Sequence, residues 1–196
     1  MVEPKHVSVA VYQRAKQGNY YCGDSYYYYE NDDFFICALA DGLGSGELAR
    51  ESSQAVMDTI RTNPYRDTKS MVKASNEALV GKRGVVLGVL RLDYRNKQYT
   101  YASIGNIGLM TIRADTVKKR TIPISGYLGV YARPLKEVQE PLEQGTKFAL
   151  FSDGVISRDL TYKLFQKENV ADITEAFAAK MSNEREDDTT LIVIKY

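Results

Sequence analysis

An α+β sandwich, two antiparallel β-sheets packed together and flanked by helix pairs, is the fold class this sequence predicts. Three observations carry it. Short apolar runs rich in branched and aromatic residues outnumber the helical stretches. The helical stretches fall into two pairs with a block of strands between them, which argues against a parallel sheet of alternating strands and helices. With 196 residues, 44% of them hydrophobic, the chain is long enough to build one domain over 1–196 around a sizeable core.

Val7 to Tyr12 alternates small and apolar residues as an edge strand does, and Gly18-Asn19 turns the chain. Tyr26 to Tyr29 are four consecutive tyrosines. In a strand, alternate rings face opposite sides, so one row is expected in the core and the other exposed as a candidate docking surface. Asn31-Asp32-Asp33 turns into the apolar run Phe34 to Ala40, making Tyr26–Ala40 a hairpin. Beyond Gly42-Leu43-Gly44-Ser45-Gly46, Leu48, Ala49, Ser52, Val56 and Ile60 hold helical spacing until Asn63-Pro64. Asp67 or Thr68 caps a second helix reaching about Val80. Val85–Leu92, Gln98–Ile104 and Ile107–Arg113 are joined by the short turns Asn96-Lys97 and Gly105-Asn106, which predicts an antiparallel meander. Thr121 to Pro141 is irregular. Lys147 to Ser152 is a buried strand, followed by short helices at Val155 to about Phe165 and Asp172 to Met181. An acidic turn leads into a last strand, Thr190 to Lys195.

Composition excludes several chemistries. Lys+Arg 26 against Asp+Glu 25 leaves a net charge of +1, with no basic excess for a nucleic-acid backbone. Lys118-Lys119-Arg120 reads as a solvated turn. No apolar run approaches the ~20 residues of a membrane helix, and Met1 to Lys5 do not open a signal peptide, so a cytoplasmic protein is expected. Cys22 and Cys37 read as free thiols. His6 is the only histidine; multi-histidine zinc sites are excluded, and a Ser-His-Asp triad would have to draw on the chain's edge. A Cys-x5-Arg phosphatase loop fails, because Tyr28 and Leu43 stand where the arginine would be. Any chemistry here falls to carboxylates.

Four acidic positions share one setting, a turn beside a strand: Asp24 after Gly23, Asp41 before Gly42, Asp153 before Gly154, and the pair Asp187-Asp188. Each Asp-Gly alone is an ordinary turn. Held together at one sheet edge, they form an oxygen-only donor set suited to Mg²⁺ or Mn²⁺ rather than zinc or copper. Two such ions about 3.5–4 Å apart polarise phosphoryl oxygens and bring the pKa of a shared water toward about 7, so that water attacks phosphorus directly.

The words around these carboxylates resemble a known family. Cys22-Gly23-Asp24, Ala40-Asp41-Gly42-Leu43-Gly44-Ser45-Gly46, Phe151-Ser152-Asp153-Gly154 and Asp187-Asp188-Thr189-Thr190 occur in the order of the metal-dependent serine/threonine phosphatases of type two C. Arg83-Gly84, Ser103-Ile104-Gly105-Asn106 and the Gly126 to Gly129 stretch match between them, so the resemblance spans about Val9 to Ile194. Among the branches, the chain looks most like the small stand-alone phosphatases of bacterial stress-signalling assemblies. The resemblance implies the sandwich fold and two Mn²⁺ or Mg²⁺ ions. It also implies catalysis through Asp41 and Asp153, with Asp41 bridging the metals. Asp24 and the Gly42 carbonyl would serve one ion, Asp153 and Asp187 the other, with Asp188 and Gly154 supporting. The implied substrate is a phosphoserine or phosphothreonine protein of the anti-sigma-antagonist type. The enzyme would act on it as a monomer and restrain the general stress response.

The chain departs from the family's pattern at three places. Gly23-Asp24 replaces an acidic pair, Asn19, Tyr20 and Tyr21 occupy the stretch where relatives carry a phosphate-gripping arginine, and Asn106 to Tyr127 is short for a substrate flap. Specificity is therefore expected from protein–protein docking. Two other functions compete. One is a phosphatase fold kept as a binding module without turnover. The other is dinucleotide binding through Gly44-Ser45-Gly46, which fits G-x-G-x-x-A but sets Asp41 against the incoming phosphates.

Overall fold

The computed structural model describes residues 6–113, 118–121, 124–129, 135–181 and 186–196. Parts of the irregular Thr121–Pro141 stretch and of the acidic turn before Asp187 lie outside these residues, as does the start of the chain. In chain order the elements are β1 (Ser8–Arg14), β2 (Asp24–Glu30), β3 (Phe34–Gly42), α1 (Glu47–Thr62), α2 (Thr68–Glu77), β4 (Val85–Asp93), β5 (Gln98–Ile104), β6 (Gly108–Ile112), β7 (Lys118–Arg120), β8 (Lys136–Pro141) and β9 (Lys147–Phe151). A 3-10 turn at Ser157–Asp159 then leads to α3 (Tyr162–Phe165), α4 (Val170–Ala178) and β10 (Thr189–Lys195).

These strands form two five-stranded sheets with orders β1-β10-β9-β6-β7 and β2-β3-β4-β5-β8, every neighbouring pair antiparallel. Alternation along the strands divides the core into three layers. Phe35, Leu39, Leu90, Tyr101, Phe148 and Ile192 meet between the sheets. Ile36, Ala38, Val56, Met57, Ile60 and Leu87 fill the space under α1 and α2, and Ala149, Phe151, Leu164, Ile173, Phe177 and Val193 that under α3 and α4. The expected sandwich with flanking helix pairs is what forms. Asp67 caps α2 by accepting from the Ser70 N–H (2.9 Å), and Asn169 caps α4 through the Ala171 N–H (2.9 Å); such caps are typically worth about 1 kcal/mol. No helix among the described residues is long and apolar enough to cross a membrane.

The structure corrects four local expectations. The meander does not form, because β5 pairs with β4 and β8 whereas β6 crosses to the other sheet and pairs with β7 and β9. Ile107 is buried in the inter-sheet layer and its carbonyl accepts from the Tyr101 hydroxyl (2.9 Å), drawing the chain across the sandwich. Lys118–Arg120 is a short edge strand, not a turn. Leu48 lies on the outer side of α1, 50% exposed. Both faces of the tyrosine strand are covered: Tyr26 packs into the inter-sheet layer and Tyr27 and Tyr29 pack toward α1, leaving Tyr28 as its exposed ring. The dinucleotide alternative fails on topology, since β3 and β4, which flank the helices after the glycines, run antiparallel.

Candidate active site

Antiparallel pairing brings the acidic turns to one end of the sandwich. In one sheet Asp24 opens β2 directly opposite Asp41 near the end of β3. In the other, Phe151 at the end of β9 pairs with Leu191 near the start of β10, so Asp153 and Asp187-Asp188 flank the same edge. Neighbours in space are therefore far apart in sequence, and the two sheets each supply part of one acidic cluster.

Asp24 is buried. Its Oδ2 accepts from Thr190 Oγ1 (2.6 Å) and Ser152 Oγ (2.8 Å). Ser152 Oγ in turn accepts from the Thr190 N–H (2.9 Å), and Gln13 Nε2 donates to Thr190 Oγ1 (3.1 Å) and to the Asp24 carbonyl (3.3 Å). Its other oxygen, Oδ1, is buried with no hydrogen-bond partner among the described residues. Burial pushes the Asp24 carboxyl up to about 7; the Thr190 and Ser152 hydrogen bonds oppose the shift, and the charges of Asp188 and Asp153 add to it. Asp41 is pushed up to about 8, first by burial and then by the charges of Asp24, Asp153, Asp187 and Asp188. The Asp153 carboxyl is also raised, by burial and by Asp187, against the hydrogen bond that Asn106 Nδ2 donates to its Oδ2 (2.7 Å).

Asp188 is employed differently. Both of its oxygens accept backbone N–H groups, Oδ1 from Lys16 (2.8 Å) and Oδ2 from Gly23 (2.9 Å), and the side chain is buried. It pins both ends of the connection between β1 and β2 to the start of β10. Asp187 is exposed, and its Oδ1 accepts the Asp188 N–H (2.9 Å). The glycines fit against these carboxylates. A Cβ on Gly42 would stand 1.9 Å from the Ala49 carbonyl of α1, and one on Gly154 would stand 2.2 Å from the Asp188 carbonyl. Only a bare Cα allows either approach.

The structure thus gathers Asp24, Asp41, Gly42, Asp153, Gly154, Asp187 and Asp188 at one end of the sandwich. Among the described residues no three His, Cys, Asp or Glu side chains are drawn together tightly enough to close on one ion. The donor chemistry nonetheless suits a hard divalent cation: every side-chain donor is a carboxylate oxygen, Asp24 Oδ1 lacks a partner, and burial, with the neighbouring negative charges adding to it, raises the carboxylate pKa values. Ser152, Thr190, Gln13 and Asn106 carry no role in the sequence reading. Asn106, Ser152 and Thr190 lay within recognised words without a role of their own, whereas Gln13 announces nothing until β1 and β10 are placed side by side. Neither cysteine competes as a nucleophile, because burial pushes both thiols far up and Asp24 and Asp188 push Cys22 further.

Comparisons with known proteins agree with this fold. The family model for Stage II sporulation protein E (SpoIIE) matches residues 31–196. The chain is 35% identical over 191 residues to the phosphoserine phosphatase RsbX of Bacillus subtilis (strain 168), covering 97% of this chain and 96% of that protein. The crystal structure of RsbX in complex with magnesium superposes with a TM-score of 0.90 at 34% identity, over 98% of this chain and 96% of that one. A chain from the bacterial stressosome shares the fold (TM-score 0.88, 22% identity, 96% of this chain and 99% of that one). So does the catalytic domain of the serine/threonine protein phosphatase PstP with 2 manganese ions (TM-score 0.78, 15% identity, 96% and 97%). The chain belongs to the SpoIIE family of PP2C-type protein serine/threonine phosphatases.

Proposed function

We propose that this enzyme hydrolyses phosphoserine or phosphothreonine on a regulatory protein of a bacterial stress-signalling assembly, using two divalent cations held by the carboxylate edge. The observation that carries the reading is the convergence of Asp24, Asp41, Asp153 and Asp187 from both sheets, with Asp24 Oδ1 buried and unpartnered. Asp41 would lie between the ions, with Asp24 and the Gly42 carbonyl toward one and Asp153 and Asp187 toward the other. When bound, Mg²⁺ or Mn²⁺ supplies Lewis-acid polarisation of phosphoryl oxygens and a lowered pKa for water.

The chain's own residues set the conditions for that chemistry. Asn106 fixes the rotamer of Asp153, and Ser152 and Thr190 hold Asp24 with one oxygen left over. Asp188 locks the backbone on which Asp24 is mounted. No protein nucleophile is needed, and neither buried thiol offers one. Similarity to RsbX, a phosphoserine phosphatase, supports the substrate class. The test is release of phosphate from a phosphoserine regulatory protein with added Mn²⁺ or Mg²⁺, with chelator, and for Asp153→Asn. Turnover should require the metal and fall by about two orders of magnitude or more in the variant. Turnover that survives thorough chelation overturns the mechanism, and metal binding without any turnover identifies a binding module instead.

A further inference from the structure

We propose that Arg83 is the cation this site presents to its substrate, its guanidinium pairing with an oxyanion of the phosphorylated protein at the rim of the carboxylate cluster. This role presupposes the phosphatase reading. A site built from carboxylates must accept an anionic substrate, and the stretch Asn19 to Tyr21 supplies no arginine for it.

Arg83 is placed for the task by backbone. In the β3–β4 register Asp41 faces Val86 and Gly42 faces Val85, and the pairing continues as Leu43 N–H donates to the Gly84 carbonyl (3.0 Å). Arg83 therefore runs beside Gly44, three residues past Asp41. Its own N–H donates to Ser52 Oγ of α1 (3.2 Å), which ties it to the helix as well as to the loop. The guanidinium lies across the bare face of Gly44, where a Cβ would stand 2.5 Å from Nη1, and Gly44 itself has φ 100°, a conformation glycine favours. Arg83 is exposed and forms no ion pair among the described residues, whereas the adjacent Lys82 is engaged by Glu51. An exposed arginine fork with no carboxylate partner among the described residues, held beside the glycine three residues past Asp41, suits bidentate recognition of a phosphoryl group or of a carboxylate beside it.

The test uses R83A and R83K with Mn²⁺ and two phosphoserine peptides, one with an acidic neighbour and one with neutral neighbours. Inorganic phosphate binding is measured by calorimetry and melting by tyrosine fluorescence. R83A should raise KM for the acidic-flanked peptide about tenfold or more, with kcat far less affected and melting unchanged. R83K should recover only part, because an ammonium lacks the planar fork. Phosphate binding weakened in parallel assigns the phosphoryl group as the partner. Phosphate binding retained, with KM raised only for the acidic-flanked peptide, assigns the neighbouring carboxylate. Unchanged KM on both peptides together with unchanged phosphate binding overturns the proposal. A wild-type chain that binds phosphate but turns nothing over would refute the phosphatase reading instead, and phosphate binding by R83A would still decide the role of Arg83.

Discussion

Replacing Asp188 by asparagine separates the two adjacent carboxylates before β10, to which the family resemblance assigns different tasks. Both Asp188 oxygens are occupied by backbone donors, the Lys16 and Gly23 N–H groups at 2.8 and 2.9 Å, and the Gly23 bond is fully buried. A hydrogen bond to a charged group is worth about 1.5–3 kcal/mol, and a buried donor left without an acceptor costs about 1–3 kcal/mol. The carboxamide keeps one acceptor and points an N–H₂ at the other donor. Removing a like charge from beside Asp24 and Asp41 offsets part of that loss. The net expectation is a loss of about 2–3 kcal/mol in chelator, or about 4–12 °C in melting temperature for a chain of this size. With 15 tyrosines and no tryptophan, the transition is read by tyrosine fluorescence or circular dichroism. Asp187→Asn, at an exposed carboxylate, should melt in chelator no lower than the parent while losing most of the stabilisation that Mg²⁺ confers. The opposite pattern, with Asp188→Asn normal in chelator but insensitive to Mg²⁺, would refute the division into strut and ligand.

Three further outcomes follow from the same geometry. Asp24 and Asp41 hold protons in the folded, metal-free state up to about pH 7 and about 8, whereas the unfolded chain releases them near pH 4. The folded state thus binds more protons across that window, so stability in chelator should fall as pH rises from about 4 to 8, and denaturation midpoints at pH 5 and 8 check the sign. Asn106→Ala frees Asp153 Oδ2 from its donor and should lower turnover by about 10–100-fold with little change in melting, because the pair is exposed. Gly42→Ala sets a methyl group 1.9 Å from the Ala49 carbonyl, so α1 must shift and turnover should be lost along with about 1–3 kcal/mol or more of stability.

Much of this was legible because the signals are local. Phe34–Ala40 and Lys147–Phe151 are buried strands by composition, Asp67 is a cap by residue type, and the Asp-Gly turns lie where strands end. The crossing at Gly105-Asn106 was not, since a short turn between apolar strands reads the same whether the second strand pairs with the first or passes to another sheet. What decides is Ile107 entering the inter-sheet layer and the Tyr101 hydroxyl reaching its carbonyl. Strand β8, Lys136-Glu137-Val138-Gln139-Glu140-Pro141, was missed because it is an edge strand with charged residues and a terminal proline, lacking the apolar alternation of a core strand. Ser152 and Thr190 were invisible as partners of Asp24 because their hydrogen bonds span 128 and 166 residues of chain. Leu48 was misplaced because helical spacing marks a stripe without saying how wide the covered face is.

The central claim is that one carboxylate edge, shared between the two sheets, holds two divalent cations with Asp41 common to both. Calorimetric titration of Mn²⁺ into the chelator-stripped protein tests it without relying on turnover. The account predicts two ions bound by the parent, one retained by Asp153→Asn, and neither retained at comparable affinity by Asp41→Asn. Two ions bound undiminished by Asp41→Asn, or no Mn²⁺ bound by the folded parent, would contradict it.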